Sequence, residues 1–146
     1  MKDVAQELES ILTVADQLRS IHEGAAARRP GTGKWSKKEI LGHLIDSAAN
    51  NHQRFVRLQL QEKLELSGYD GDNWVRLQNY QNLPWHDIID LWRVYNRHLA
   101  RMIRDVDPAS LKHRWHKPDG GVLDLEFIMR DYVVHLKHHI DRILER

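Results

Sequence analysis

The sequence predicts an all-α fold, a four-helix bundle, and three observations carry that prediction. Four stretches place apolar residues at helical spacing, no stretch alternates apolar and polar residues convincingly enough for a strand, and there is no internal repeat. A chain of 146 residues fits one domain, able to bury about 68–70% of its unfolded surface without covalent staples. No domain boundary is evident, so residues 1–146 read as a single unit.

The first helix is predicted over about residues 3–22, with Val4, Leu8, Ile11, Leu12, Ala15 and Leu18 on one face. Asp3 followed by Gln6 reads as a capping-box start, and Gly24 with the Arg- and Gly-rich stretch 28–33 ends the segment. A second helix opens at Ser36-Lys37-Lys38-Glu39, where the S-x-x-E pattern lets two side chains satisfy the free N–H groups of the first turn. Ile40, Leu41, Leu44, Ile45, Ala48, Phe55 and Val56 form its apolar face, which is predicted to run to Leu66 and stop at Ser67-Gly68.

A long connection follows, in which Asp72 is expected to cap a short helix carrying Trp74, Leu77 and Tyr80. A connection of this length is functional or spans the bundle, so simple up-down-up-down topology is not assumed. The third helix begins at Pro84-Trp85, with proline suited to a first-turn position. Ile88, Leu91, Trp92, Tyr95, Leu99, Met102 and Val106 continue it until Asp107-Pro108. After the turn Pro118-Asp119-Gly120-Gly121, the fourth helix starts near Asp124, with Leu125, Met129, Val133, Leu136, Ile140, Ile143 and Leu144 as its stripe.

Composition removes several function classes. The absence of cysteine excludes disulfides, thiolate metal sites and a cysteine nucleophile. Lys and Arg total 22 against 21 Asp and Glu, and the basic pairs Arg28-Arg29 and Lys37-Lys38 are too short for a nucleic-acid stripe. No window approaches the ~20 apolar residues of a membrane span, and the first residues lack an apolar leader. The expected location is cytoplasmic, with neither nucleic acid nor membrane as partner.

Ten histidines are the unusual feature. His135 and His139 stand four apart on the fourth helix, where side chains share a face and two imidazoles can converge on one ion. With His135 at zero on the helical wheel, His139 falls near 40° and the apolar stripe near 100°, at the edge of the buried face. His138 points about 100° away from His139, toward solvent. Asp131, one turn before His135, is placed to accept an imidazole N–H. The pair alone also reads as the polar flank of a histidine-rich helix, and the Glu of H-E-x-x-H is missing, which excludes that protease motif. A third ligand must come from another helix. His43 is the candidate, on a strip with Ser47, Asn50 and Arg54 that could equally be the wet side of the helix. No E-x-x-H occurs, which disfavours a di-iron bundle, and His22, His52, His86, His98, His113 and His116 show no comparable pairing. Of the aromatic residues, Trp92 and Tyr95 read as core, while Trp74 and Trp115 lie in connections and could form a lid.

Four motifs in order carry a family resemblance. The run from Trp35-Ser36 through Glu39 to His43-Leu44 resembles the W-S-x-x-E-x-x-x-H-L opening of the second helix in the DinB/YfiT-like family of metal-dependent hydrolases. Ile45-Asp46-Ser47-Ala48 with Asn51 to Phe55, and Tyr69-Asp70 with Trp74, are similar to the YfiT branch. Asp131-Tyr132, His135 and His138-His139 match the family's D-Y-x-x-H-x-x-H-H helix. The resemblance implies a DinB-like bundle with up-down-down-up connectivity. It further implies one divalent transition metal, nickel or zinc, on His43, His135 and His139, and a homodimer. Family members include thiol-dependent transferases, so the implied activity is a hydrolase or a low-molecular-weight-thiol S-transferase acting on a small-molecule substrate. Asp46 and Asp131 are candidate supports behind the metal ligands, and Asn50 and Arg54 candidate contacts to a substrate anion. The competing expectation is a non-catalytic metal-binding bundle serving as a sensor or assembly module.

Overall fold

The structure, a computed structural model, describes residues 1–145. Among the described residues seven α-helices form: α1 (Lys2–Leu12), α2 (Ala15–Arg19), α3 (Glu23–Ala27), α4 (Lys37–Leu60), α5 (Gly71–Gln78), α6 (Trp85–Arg104) and α7 (Leu125–Leu144). The bundle is built from α1 with its continuation α2, and from α4, α6 and α7; short 3₁₀ turns occupy Tyr80–Asn82 and Pro108–Lys112.

The helix directions follow from which residues meet. Arg104 pairs with Glu9, Arg19 with Asp90, and the Trp85 indole donates to the Leu18 carbonyl at 2.9 Å, so α1–α2 and α6 are antiparallel. His52 meets Tyr95 and Lys38 reaches the Leu83 carbonyl, so α4 and α6 run parallel. Lys37 pairs with Glu145 while Phe55 stacks on Tyr132, so α4 and α7 are antiparallel. Asp3 pairs with Arg130 near the start of both helices, so α1 and α7 are parallel. The connectivity is therefore up-down-down-up. Around the bundle the order is α1, α6, α4, α7, with consecutive helices on opposite corners at the first and last connections. Leu8, Leu18, Leu41, Phe55, Leu58, Trp85, Trp92, Leu99 and Leu136 fill the centre and are fully buried.

Local chemistry explains the elements and four departures from expectation. Ser36 accepts the Glu39 N–H at 3.2 Å while Glu39 accepts the Ser36 N–H at 2.9 Å, which is the capping box read from the sequence. The first segment, expected as one helix over 3–22, breaks at Thr13, whose hydroxyl bonds back to the Ser10 carbonyl. Its Asp3 is not a cap but an ion-pair partner of Arg130, Met1 being the cap residue. The second helix ends at Leu60 rather than Leu66, because residues 63–65 form a strand. This strand, β1 (Lys63–Glu65), pairs in parallel with β2 (Arg114–His116), which pairs antiparallel with β3 (Val122–Asp124). The sequence showed no strand here because three residues are too few to display a period of two. The short helix in the long connection is capped by Asp70, which accepts the Asn73 N–H at 3.1 Å, not by Asp72.

Candidate metal centre

The Ser36 cap fixes the register of α4, which sets His43 in its second turn. Asp124 accepts the Phe127 N–H at 2.8 Å and fixes α7 likewise, which sets His135 and His139 in its later turns. Because α4 and α7 are antiparallel, the beginning of one lies beside the end of the other. The second-helix imidazole and the C-terminal pair meet there. One ligand atom from each of His43, His135 and His139 lies within 4.8 Å of the others, and among the described residues no other such group of three occurs.

Several observations fit a divalent ion. His43 Nε2 stands 3.3 Å from His135 Nε2, long for an N–H···N hydrogen bond. Two nitrogens bound tetrahedrally at about 2.0–2.1 Å would stand roughly 3.3 Å apart. The Nδ1 atom of His139 is buried with no partner, which is costly unless a ligand or ion takes it. Burial, with His135 beside it, pushes the His43 imidazole down to about 4. Burial and the neighbouring His135 and His43 push His139 down to about 3, and burial lowers His135 as well. Near neutral pH all three are uncharged with lone pairs available, the form a metal requires.

The other residues singled out from the sequence divide into groups. Asp46 is buried one turn after His43; its carboxylate accepts the Tyr80 hydroxyl at 2.7 Å and an amide N–H of Gln78. Gly42 makes this possible, because a Cβ there would lie 2.2 Å from the Tyr80 ring. Asp131 is exposed, and its nearby charge works against the burial that depresses His135. Asn50 turns back to donate to the Asp46 carbonyl at 2.9 Å on its own helix. Arg54, in contrast, is only 7% exposed and lies over Trp115, with its guanidinium carbon 3.9 Å from the ring centroid. It shares a cavity of about 170 Å³ with His135, Asp131, Ser47, Asn51, Tyr69 and Trp115. Trp92 is fully buried as expected and Tyr95 half-buried, while Trp74 is partly exposed against Tyr69. Among the remaining histidines the structure does form one pair, His52 with His98, at 5.4 Å between rings.

Two neighbours of the cluster were not found from the sequence. The Trp35 ring lies 5.0 Å from His43, and Asp72, at the start of α5, opposes the lowering of the His43 pKa by its negative charge. Asp72 lies in the long connection, whose length implied a segment folded back over the bundle but not its landing point, while Trp35 stands just before α4 with nothing local to show that its ring turns to His43.

The comparisons with known proteins agree with this architecture. The family model of the DinB superfamily matches residues 7–143. A protein of Oceanobacillus iheyensis named "Putative metal-dependent hydrolase" is 26% identical over 112 residues, which is 77% of this chain and 64% of that relative's own length. A protein of Halalkalibacterium halodurans with the same description is 20% identical over 146 residues, 97% of this chain and 85% of its own. The solved structure of YfiT from Bacillus subtilis, described as having an unusual four-helix bundle topology, superposes with a TM-score of 0.88 at 24% identity. That superposition covers 99% of this chain and 84% of YfiT, and carries the fold. With its family model spanning nearly the whole bundle, this chain belongs to the DinB superfamily.

Proposed function

We propose that the protein is a metal-dependent hydrolase of small molecules in which His43, His135 and His139 hold one divalent transition metal, nickel or zinc. The observation that carries this reading is the convergence of three uncharged imidazoles from two helices beside a cavity. The relatives' descriptions as metal-dependent hydrolases support it. A divalent ion bound by three imidazoles supplies Lewis acidity at its open positions, toward water or toward a thiol.

The chain's own residues account for the rest. Burial keeps the imidazoles deprotonated, and Trp35 covers the His43 ring. Asp131, exposed at the cavity wall beside His135, is placed to take up a proton during turnover. Asp46 acts at a distance, by anchoring Tyr80 across Gly42. The same centre is suited to transfer of a low-molecular-weight thiol, since an electrophile held in the cavity would meet sulfur as readily as water. A cytoplasmic homodimer completes the proposal, its assembly measurable by light scattering.

The test is metal analysis of protein purified without a histidine tag, followed by assays of the metal-loaded protein. One panel offers esters and amides, the other thiols with electrophiles. Near-stoichiometric metal, lost in His135→Ala, with turnover of an ester or amide is the expected result. Unchanged metal content in His135→Ala would overturn the site. Metal retained with silence in both panels would instead leave a binding module.

A further inference from the structure

Arg54 is a buried cation without a counter-ion. It lies on α4 and is only 7% exposed, yet no carboxylate among the described residues pairs with it. Its Nη1 donates to Asn51 Oδ1 at 3.0 Å, which draws the guanidinium back toward the histidine end of the helix. Trp115 lies against one face of it, and Nε is buried with no acceptor at all. A buried charge is costly when left unpaired, and the ring face returns only part of that cost. Burial lowers the pKa of Arg54, but a guanidinium stays protonated in proteins. A surface arginine would simply be hydrated; this one is enclosed and aimed into a cavity.

We propose that this cavity holds a carboxylate of the substrate, bound by Arg54. The proposal deepens the hydrolase reading and rests on it for the identity of the anion as substrate. With Nη1 engaged by Asn51, the Nε edge of the guanidinium is left to offer two parallel N–H donors, a fork that matches a planar carboxylate. His135 lines the same cavity, so a molecule anchored at Arg54 extends toward the three imidazoles. Asp131 also lines it, and its negative charge disfavours a dianion such as phosphate and leaves room for a single charge. Along α7, Asp131 and His135 are separated by about 6 Å of helix rise. The substrate class that fits is an ester or amide with a free carboxylate a few bonds from the bond to be cleaved, such as an N-acylated amino acid or the monoamide of a dicarboxylic acid.

The test does not depend on metal. Metal-free protein is titrated with butyrate, with butyramide as the matched neutral probe and with inorganic phosphate. The Trp115 indole N–H, which donates to the Leu66 carbonyl, reports by NMR. A saturable Trp115 shift with butyrate, at least about tenfold weaker with butyramide, is expected. Arg54→Gln should abolish the difference between the two probes, and Arg54→Lys should restore only part of it. Equal behaviour of butyrate and butyramide in the wild-type protein, or no saturable shift with butyrate, overturns the proposal even if Arg54→Gln does not fold. Tighter binding of phosphate than of butyrate overturns the carboxylate assignment. A protein that takes up no metal would defeat the hydrolase reading and leave this titration's answer as it stands.

Discussion

The α1–α6 and α4–α7 faces of the bundle are made from similar helices yet solve different problems. Where α1 and α2 meet α6, large apolar side chains such as Leu8, Leu18 and Trp85 are fully buried, and charge is confined to rim pairs such as Arg104 with Glu9. Where α4 meets α7, His139, Ser47, Asn51 and Arg54 are buried instead, and on another face of α4 Asp46 is buried against Tyr80. The buried side-chain atoms left without a partner show the same division. His43 Nδ1, Asp46 Oδ2, Arg54 Nε and His139 Nδ1 lie on α4 or α7, and Trp92 Nε1 on α6. Each such atom costs on the order of 1–3 kcal/mol relative to a satisfied one. Four of these five atoms lie on the two helices that carry the candidate ligands, and large apolar burial against α1 and α2 offsets their cost.

The comparison breaks most visibly at a metal ligand. His139→Leu should reduce metal affinity by more than the roughly 10–100-fold expected from losing a supporting group. It should leave the metal-free protein as stable as before or more so, since an unpartnered buried imidazole is replaced by apolar volume. Metal analysis together with thermal unfolding of the metal-free form checks both halves; a strongly destabilised metal-free variant would show that the histidines serve packing.

On the other interface the signs reverse. Leu8→Ala should cost about 2–5 kcal/mol in denaturant unfolding with metal content per folded molecule unchanged. Gly42→Ala should fall between the two cases. Its methyl would drive the Tyr80 ring off α4 and away from Asp46, for about 1–3 kcal/mol of overpacking. Unchanged unfolding in Gly42→Ala would mean that Tyr80 moves freely.

The smallest expected effect is a pH profile that stays level. A site of ordinary histidines would lose metal as pH fell through 6.5, because protons compete for every ligand. Here His43 and His139 bind protons only near 4 and 3, so metal content should change little between pH 7 and pH 5. Dialysis at stepped pH with metal analysis would expose a loss near pH 6.5. The metal-free protein should behave differently. Below 6.5 the unfolded chain takes up protons that the folded imidazoles refuse, so stability falls with pH until about 3, where both states are protonated. Asp46 works against this trend, since burial raises its pKa and the folded form binds that proton first.

The local signals proved reliable where a few adjacent residues satisfy backbone groups among themselves. Ser36 with Glu39 and the start of the last helix near Asp124 could be read directly, and so could the placement of His135 with His139 on one helical face. The break at Thr13 was harder to see, because the apolar spacing of Val4 to Leu18 continues across it while the backbone does not. The β-ribbon was invisible for a related reason: each strand is three residues long, and β1 is completed by a partner some fifty residues away. Arg54 could be named as a candidate anion contact, but nothing near it in sequence announces that Trp115 will cover it and bury its charge.

The amino-acid order by itself determined the four bundle helices in outline, the Ser36 cap and the candidate ligands, because those depend on spacings of three and four residues within a single hydrogen-bonded turn. It did not determine which charges lose their water. Only the antiparallel packing of α4 on α7 brings His43 to the C-terminal pair, and only Trp115 of β2, laid on Arg54, helps shut that residue away from solvent. Desolvation is a property of everything that surrounds a group, and for these residues the surroundings are assembled from distant parts of the chain.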